Sequence, residues 1–280
     1  MPVSRRRHGS LKEDIRKERV RTLSNVLWSS HTTYELKRII EEENPIVIVT
    51  VGATEQHGTH LAINTDTDLG FSLAQRVAQA SPIRTLVLPP VWSGFSPHHM
   101  DFTGTITLRQ STLFAMVNDI IECLIRHGVE RVLLLNSHGG NISLLKTVVD
   151  EIGVQHGISP VYVTYWNLIS DVIGDIRESE MGGISHACEL ETSLKMLFSP
   201  EDVRQEEIRD VMLDSTPYFG NDMFAPNKYG VYKPFKAWTE LGQIGAPSLA
   251  SKEKGERIAD AIIAKFADLI QVVWGGEEAK

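Results

Sequence analysis

The stretch that decides the fold is Val51-Gly-Ala-Thr-Glu-Gln-His-Gly-Thr-His-Leu-Ala-Ile-Asn-Thr-Asp66, which follows the apolar run Ile46-Val-Ile-Val-Thr-Val51. The β-branched apolar run predicts a buried strand. Five ionisable side chains follow the strand closely: Glu55, His57, His60, Asp66 and Asp68. Buried strands rarely end in so many ionisable groups unless an opposite charge compensates them, and a divalent metal ion would do so. We therefore expect this loop to form part of a metal site.

The rest of the chain supplies further strands and helices in alternation. The strands are expected at 46–51, 85–90, 131–136 and 160–166, and the helices at 33–43, 66–80, 111–128, 142–156, 181–197 and 250–273. This order predicts right-handed βαβ units, and hence an α/β fold with a mainly parallel sheet between two layers of helices. Ligands bind beyond the carboxyl ends of the strands in such sheets. The polar segments at 51–66, 92–105 and 137–141 all follow strands, so they can converge there.

Composition limits the domain organisation and excludes several functions. The chain has 280 residues, of which 42% are apolar, and we predict one large domain over 23–280. Within it, the irregular and aromatic segment 200–245 is expected to be a lid or an interface. Residues 1–22 carry eight Lys or Arg and three Asp or Glu, which predicts a basic extension that is either solvated or packed on a neighbouring subunit.

The net charge of −8 argues against nucleic-acid binding, and no apolar run is long enough to cross a membrane. The first residues also lack the apolar region of a signal peptide. Two widely spaced cysteines, Cys123 and Cys188, indicate no disulfide framework and are typical of a reducing cytoplasm. We expect a cytoplasmic protein that acts on a small molecule.

Four of the polar residues are candidate metal ligands. Glu55 and His57 are two residues apart, so they share a face if the strand geometry continues. Asp66 can offer two carboxylate oxygens, and a shared carboxylate commonly holds two metal ions together in hydrolytic sites. His138 follows the third strand, next to Gly139, which allows close backbone approach. Carboxylate and imidazole ligands suit Zn²⁺, Mn²⁺ or Fe²⁺.

The segment Glu55-Gln-His-Gly-x-His with Asp66, the segment Asn136-x-His-Gly-Gly-Asn141 and the segment His186-Ala-x-Glu-x-Glu-Thr-Ser193 together resemble the creatininase (creatinine amidohydrolase) family. The resemblance covers residues 25–270. It implies a three-layer αβα fold, two divalent metal ions per subunit with Zn²⁺ as the first choice, and a homo-oligomer, namely a hexamer built as a trimer of dimers. By position, Glu55, Asp66 and His138 would hold one metal ion, and His57 and Asp66 the other.

The chain departs from creatininase at the fifth ligand. Creatininase has a Glu two residues after the His of the second motif, and this chain has Gly140 there. We expect Glu189 to replace it, because Glu189 lies three residues after His186 and would share its helical face. Glu191 is the alternative.

The resemblance also implies a reaction. We expect a metal-bridging hydroxide to attack a carbonyl of a small cyclic or formyl amide, with His186 as the proton shuttle to the leaving group and His99 orienting the substrate. Gly182 and Ser185 replace a Trp and a Glu that act on creatinine in creatininase, so we predict a different substrate.

Two alternatives remain open from the sequence. The first is hydrolytic C–C ring cleavage of a cyclic polyol diketone such as 3-dehydro-scyllo-inosose, for which the polar side chains at 218–240 would suit a hydroxyl-rich ligand. The second is a non-catalytic protein that only binds a metal or ligand.

Overall fold

The computed structural model describes residues 25–276, and the basic extension predicted at 1–22 lies outside this range. The described residues contain six strands and six longer helices. The strands are β1 (Ile46–Val51), β2 (Thr85–Val87), β3 (Arg131–Asn136), β4 (Val161–Thr164), β5 (Ile184–His186) and β6 (Ile244–Gly245). The helices are α1 (Thr33–Glu43), α2 (Thr65–Ala80), α3 (Gln110–Arg126), α4 (Ile142–His156), α5 (Glu189–Phe198) and α6 (Lys252–Trp274).

The first four strands form one parallel sheet in the order β2-β1-β3-β4. Strand β1 is buried along its whole length, and its last residue, Val51, pairs with Asn136 at the end of β3. The two central strands therefore stop at the same edge of the sheet. This alignment places the loops that follow them side by side.

Helices cover both faces of the sheet, as the three-layer prediction requires. Ile46 and Ile48 pack into a core formed with α2, α5 and α6, whereas Val47 and Val49 pack into a second core formed with α3 and α4. The alternation along β1 follows from the period of two residues in a strand. A strand with an apolar side chain in each core has no polar face, which explains its continuous apolar sequence.

The segment after residue 180 differs from the prediction of a helix opening at 181. It contains β5, which pairs with β6 from far along the chain, and only then α5. Ala187, between the two elements, has a left-handed φ of 50°, so the chain turns sharply after His186. After this turn, Glu191 of α5 comes close to His186, whereas Glu189 pairs with Lys254.

Other local predictions hold. The Ser251 side chain accepts a hydrogen bond from the Lys254 N–H and caps α6, and both cysteines are free thiols. In the part of the chain that the structure describes, helices are too short or too polar to span a bilayer. Strand β2 ends early, at Val87, shortly before Pro89 and Pro90, which cannot donate to a sheet.

Candidate metal centre

Buried carboxylates and imidazoles lie at the edge of the sheet where the parallel strands end. Glu55 and His57 follow β1, His138 follows β3, and Asp66 occupies the first turn of α2. Each of the four side chains belongs to a residue that is at most 3% exposed. Groups buried so deeply have lost their hydration, so they need an opposite charge or hydrogen-bond partners.

The protonation of His57 can be deduced from its contacts. Nδ1 lies 3.2 Å from the backbone oxygen of Glu55, so Nδ1–H donates to that carbonyl. In the neutral ring Nε2 then presents a lone pair, and it faces Asp66 Oδ1 at 3.2 Å and Glu191 Oε1 at 3.8 Å. A lone pair that faces carboxylate oxygens is repelled unless a proton or a metal ion lies between them.

His138 has a similar arrangement of contacts and faces the other oxygen of Asp66. Its Nε2 lies 3.1 Å from the backbone oxygen of Phe95 and 3.1 Å from Ser96 Oγ, so Nε2–H donates in that direction. Its Nδ1 faces Asp66 Oδ2 at 2.9 Å and Glu55 Oε2 at 3.3 Å. Asp66 therefore has one oxygen toward each imidazole, which is the position of a carboxylate that bridges two cations.

While the imidazole nitrogens that face them carry no proton, several atoms of this group form no hydrogen bond within the described residues. They are Glu55 Oε2, His57 Nε2 and Asp66 Oδ2. The ligand atoms of these three residues lie within 4.8 Å of one another. Buried polar atoms in native proteins are nearly always paired. Oxygen and nitrogen atoms whose lone pairs are free and lie close together are suited to bind a cation. The residues therefore fit a metal site.

The same charges shift pKa values in opposite directions. Burial favours the neutral form of Glu55, but contacts led by the imidazole of His138 outweigh it and hold the pKa of Glu55 well below its usual value. Burial also opposes protonation of His138, yet Glu55 and Asp66 raise its pKa to about 10. The metal-free centre thus keeps its carboxylates ionised beside protonated imidazole. Metal binding must release such protons, since a metal ligates neutral imidazole.

The structure corrects the choice of Glu189 as the fifth ligand. Its carboxylate accepts hydrogen bonds from the backbone N–H groups of Glu178 and Ser179, at 2.9 and 3.1 Å, and forms a buried ion pair with Lys254. Burial opposes ionisation of Glu189, but these partners lower its pKa overall. These contacts of the carboxylate are with residues 178–179 and with α6, and none of them is with the metal-ligand group.

Glu191, the alternative, reaches that group instead. One of its oxygens faces His57, and its ligand atom lies within 4.8 Å of those of His57 and His186. The other oxygen accepts from the Cys188 N–H at 3.4 Å and caps α5. The prediction failed because α5 begins at Glu189 rather than at His186. Residues two apart on a helix point to different sides.

Gly140, where creatininase carries its fifth ligand, cannot carry a side chain in this backbone arrangement. A Cβ atom would lie 2.1 Å from the backbone oxygen of Phe95 and 2.5 Å from His138 Nε2. A carboxylate from this position is therefore excluded sterically. A carboxylate that does reach the group, that of Glu191, lies on α5.

The two predicted catalytic histidines lie on either side of Glu55 Oε1, with His99 Nε2 at 3.3 Å and His186 Nδ1 at 3.8 Å. Gln56 fixes both rings. Its backbone oxygen lies 2.8 Å from His186 Nε2, and its side-chain Nε2 lies 2.8 Å from His99 Nδ1 and 3.0 Å from the Gly242 oxygen. Burial lowers the pKa of both histidines. Both rings are therefore neutral, with defined tautomers.

His98 and Phe235 border the group on its open side. The His98 ring stacks on His138 with centroids 6.0 Å apart, and burial lowers the pKa of His98 to about 4. Phe235 packs on His99 and His186, with centroids at 4.2 and 4.8 Å. A cavity of about 640 Å³ begins at His98 and Phe235. A cavity of substrate size therefore lies beside the buried centre.

Comparison with known proteins identifies the family. Residues 29–270 match the family model of creatininase, described as creatinine amidohydrolase. The chain belongs to the creatininase family. Creatinine amidohydrolase of Pseudomonas putida is 30% identical over 242 residues, which cover 81% of this chain and 88% of that protein. A mycofactocin precursor peptide peptidase of Mycolicibacterium smegmatis is 30% identical over 231 residues, which cover 81% of this chain and 85% of that protein.

Solved creatininase structures share the fold. A mutant creatininase of Zn-Zn type superposes with a TM-score of 0.77 and 28% identity, covering 89% of this chain and 98% of that chain. A manganese form gives a TM-score of 0.76 over the same shares. The predicted family and three-layer fold are confirmed, and the chain is a metal-dependent hydrolase of the creatininase family, distinct from creatininase itself at this identity.

Residues that the sequence reasoning missed are Gln56 and Phe235. Gln56 lies inside the first motif, between Glu55 and His57. This position in the motif was the sequence feature that could have indicated its role. Phe235 belongs to a segment with no regular pattern, and nothing in its surroundings along the chain indicated that it covers two histidines.

Proposed function

We propose that the chain hydrolyses a C–N amide bond with two divalent metal ions held by Glu55, His57, Asp66, His138 and Glu191. The position of Asp66 supports this most directly, because each of its oxygens faces an imidazole nitrogen whose ring proton is used elsewhere. Three buried carboxylates and two divalent cations would balance to within one charge, which satisfies the requirement that buried charges be compensated. Zn²⁺ is the first choice, and Mn²⁺ or Fe²⁺ suit the same donors.

When bound, such ions would lower the pKa of a coordinated water toward about 7 and polarise the substrate carbonyl. His186 is placed to move the proton. Its Nε2–H donates to the Gln56 carbonyl, so Nδ1 is free to accept a proton and to deliver it to the leaving nitrogen. His99 accepts from Gln56 at Nδ1 and therefore carries its proton on Nε2, next to Glu55, where it can orient a substrate oxygen.

Metal content and amide hydrolysis test this proposal together. Elemental analysis of protein prepared without chelator should give two divalent ions per chain. Removal of the metal should abolish release of amine, ammonia or formate from a panel of cyclic amides, formyl amides and short peptides, and re-addition should restore it. Fewer than one ion per chain in metal-replete protein, or amide hydrolysis that survives metal removal, would refute the proposal.

Three of the polar side chains on which the C–C cleavage alternative depended form hydrogen bonds or an ion pair within the fold. Asn221 Nδ2 donates to the Asp214 oxygen, Asn227 Oδ1 accepts from the Gly220 N–H, and Asp222 is paired with Arg177. A 3-dehydro-scyllo-inosose hydrolase of Thermotoga maritima is 24% identical over 259 residues, a lower identity than that of the amide hydrolases.

We also propose a homo-oligomer, as the resemblance implies a hexamer. Trp92 and Ile106 are 54% and 48% exposed. Their backbones lie close together, because the Thr54 hydroxyl donates to the Trp92 carbonyl and the Ile106 N–H donates to the Thr54 carbonyl. Large apolar side chains left exposed on one part of the surface are typical of an interface. Light scattering coupled to size-exclusion chromatography gives the subunit number, and a monomer at micromolar concentration would contradict this proposal.

A further inference from the structure

The cavity beside the metal centre carries information about the substrate that the centre itself does not. Its volume of about 640 Å³ lies within the range of pockets that bind ligands of several linked groups. One small cyclic amide would fill only part of it. Aromatic side chains form much of its wall, among them Phe219, Phe235 and Trp238. Phe219 and Trp238 stack with centroids 5.8 Å apart.

The cavity has two charged lining residues within the described chain, and only one lacks an ionic partner. Asp222 accepts from Arg177 Nη2 at 2.9 Å, from the Gly182 N–H at 2.8 Å and from the Ile184 N–H at 3.3 Å. Its charge is therefore fully compensated. Lys233 lines the same cavity, and its Nζ lies 3.7 Å from the centroid of the Trp238 ring.

Among residues 25–276, Lys195, Lys254 and Lys265 pair with carboxylates, whereas Lys233 forms no such pair. Contact with an aromatic face stabilises an ammonium ion but leaves its net charge in place. The protein carries a net charge of −8, so a cation exposed to a cavity is not a consequence of general basicity. An ammonium beside an aromatic wall suits a ligand with a carboxylate next to an apolar group.

The position of the cavity relates this feature to the reaction. Phe235 contacts His99 and His186 on one side and lines the cavity on the other. Lys233 lies two residues before Phe235. A substrate whose amide bond reaches the histidines can therefore extend along Phe235 toward Lys233.

We propose that the substrate is an amide that carries an apolar or aromatic group and a free carboxylate, as the end of a peptide does, and that Lys233 determines this specificity by binding the carboxylate. This inference rests on the proposed amide hydrolase function. It assigns a ligand class to the cavity, whereas the metal centre accounts only for the bond that is broken.

A binding experiment on the metal-loaded protein tests the inference without turnover. The probes are 3-phenylpropionate and 3-phenylpropanol, which share a shape, differ in charge and contain no amide bond. By calorimetry, the wild type should bind the carboxylate more tightly than the alcohol. Lys233→Gln should weaken carboxylate binding by about 10-fold or more, the effect of losing one charge-assisted hydrogen bond, and should leave alcohol binding unchanged.

Lys228 provides the matched control. It belongs to the same segment and also lies over an aromatic ring, Tyr218, with Nζ at 5.4 Å from the centroid, but it does not line the cavity. Lys228→Gln should therefore bind both probes like the wild type. Equal loss in both variants would indicate a general charge effect and overturn the inference. A carboxylate preference that survives Lys233→Gln would place the carboxylate on the metal ions and would also overturn it.

A turnover experiment separates failure of the cavity assignment from failure of the reaction. Benzoyl-glycyl-phenylalanine and its C-terminal carboxamide are compared as substrates, and kcat/KM should favour the free acid in the wild type but not in Lys233→Gln. If neither compound nor any other amide is hydrolysed while Lys233-dependent carboxylate binding persists, the proposed function fails and the cavity assignment stands.

Discussion

Exchanging the two acidic residues of α5 for glutamine, one at a time, should separate metal binding from stability. In Glu191→Gln, the amide oxygen can still accept from the Cys188 N–H, so the helix cap is kept. The charge that faces His57 Nε2 at 3.8 Å is lost. Loss of a residue that hydrogen-bonds to a metal ligand typically lowers metal affinity about 10- to 100-fold. Loss of a ligand itself should therefore lower metal affinity by at least about 100-fold. Elemental analysis after dialysis should then find one ion per chain, with little hydrolysis.

Glu189→Gln should have the opposite phenotype. The substitution leaves the Lys254 ammonium without its buried carboxylate partner, although Glu178 Oε1 remains at 3.4 Å. Breaking a buried ion pair by removing one partner lowers the free energy of unfolding by about 3–5 kcal/mol. Because Lys254 keeps its contact with Glu178, we expect a loss at the lower end of this range. For a protein of this size, about 3 kcal/mol corresponds to a fall in Tm of roughly 6–12 °C. Metal content and activity below the transition should be unchanged.

Both variants are measured side by side by elemental analysis, by calorimetric unfolding in excess metal and by amide hydrolysis. The reasoning is refuted if Glu189→Gln loses an ion while Glu191→Gln retains both. It is also refuted if the two variants lose stability equally and metal not at all, because neither carboxylate would then be a ligand.

Three further predictions follow from individual contacts. Gly140→Ala should lower metal content and destabilise the fold by about 1–3 kcal/mol through overpacking, whereas Gly139→Ala, where a Cβ meets nothing within 4 Å, should change neither; equal effects would refute the steric argument. Gln56→Leu should retain both metal ions but reduce kcat by about 100-fold, as expected when general acid–base residues lose their orientation; unchanged kcat would show that this side chain has no positioning role. The Asp202 pKa is lowered by its hydrogen bond to the buried Lys195, so Asp202→Asn should destabilise the protein at pH 7, and urea titrations should show the difference shrinking as pH falls below about 4; a constant difference would contradict this origin.

The meeting of most residues of the candidate metal centre could be predicted because they lie next to regular elements that the sequence pattern reveals. Glu55 and His57 follow an apolar strand, His138 follows another, and Asp66 opens a helix. In a parallel sheet these positions meet at one edge whatever the details of the loops. Pattern and topology were therefore sufficient for four residues.

The choice between Glu189 and Glu191 could not be made in this way. It depends on where α5 begins, and the element before it, β5, has three residues and pairs with a strand of two residues far along the chain. Such short strands leave no periodic signal. Glu189 pairs with Lys254 of α6, which is far along the chain but packs beside α5. This contact depends on tertiary packing, which the local sequence does not reveal.

The donor atoms of the centre come from four separate parts of the chain, after β1, in α2, after β3 and in α5. An unfolded chain cannot bring them together, so metal ions bind the native state in strong preference to the unfolded state. By linkage, free metal at 100 times its dissociation constant would then add about 2.7 kcal/mol to the free energy of unfolding. A bound cation would thus be a thermodynamic component of the fold, and the melting temperature should rise with metal concentration.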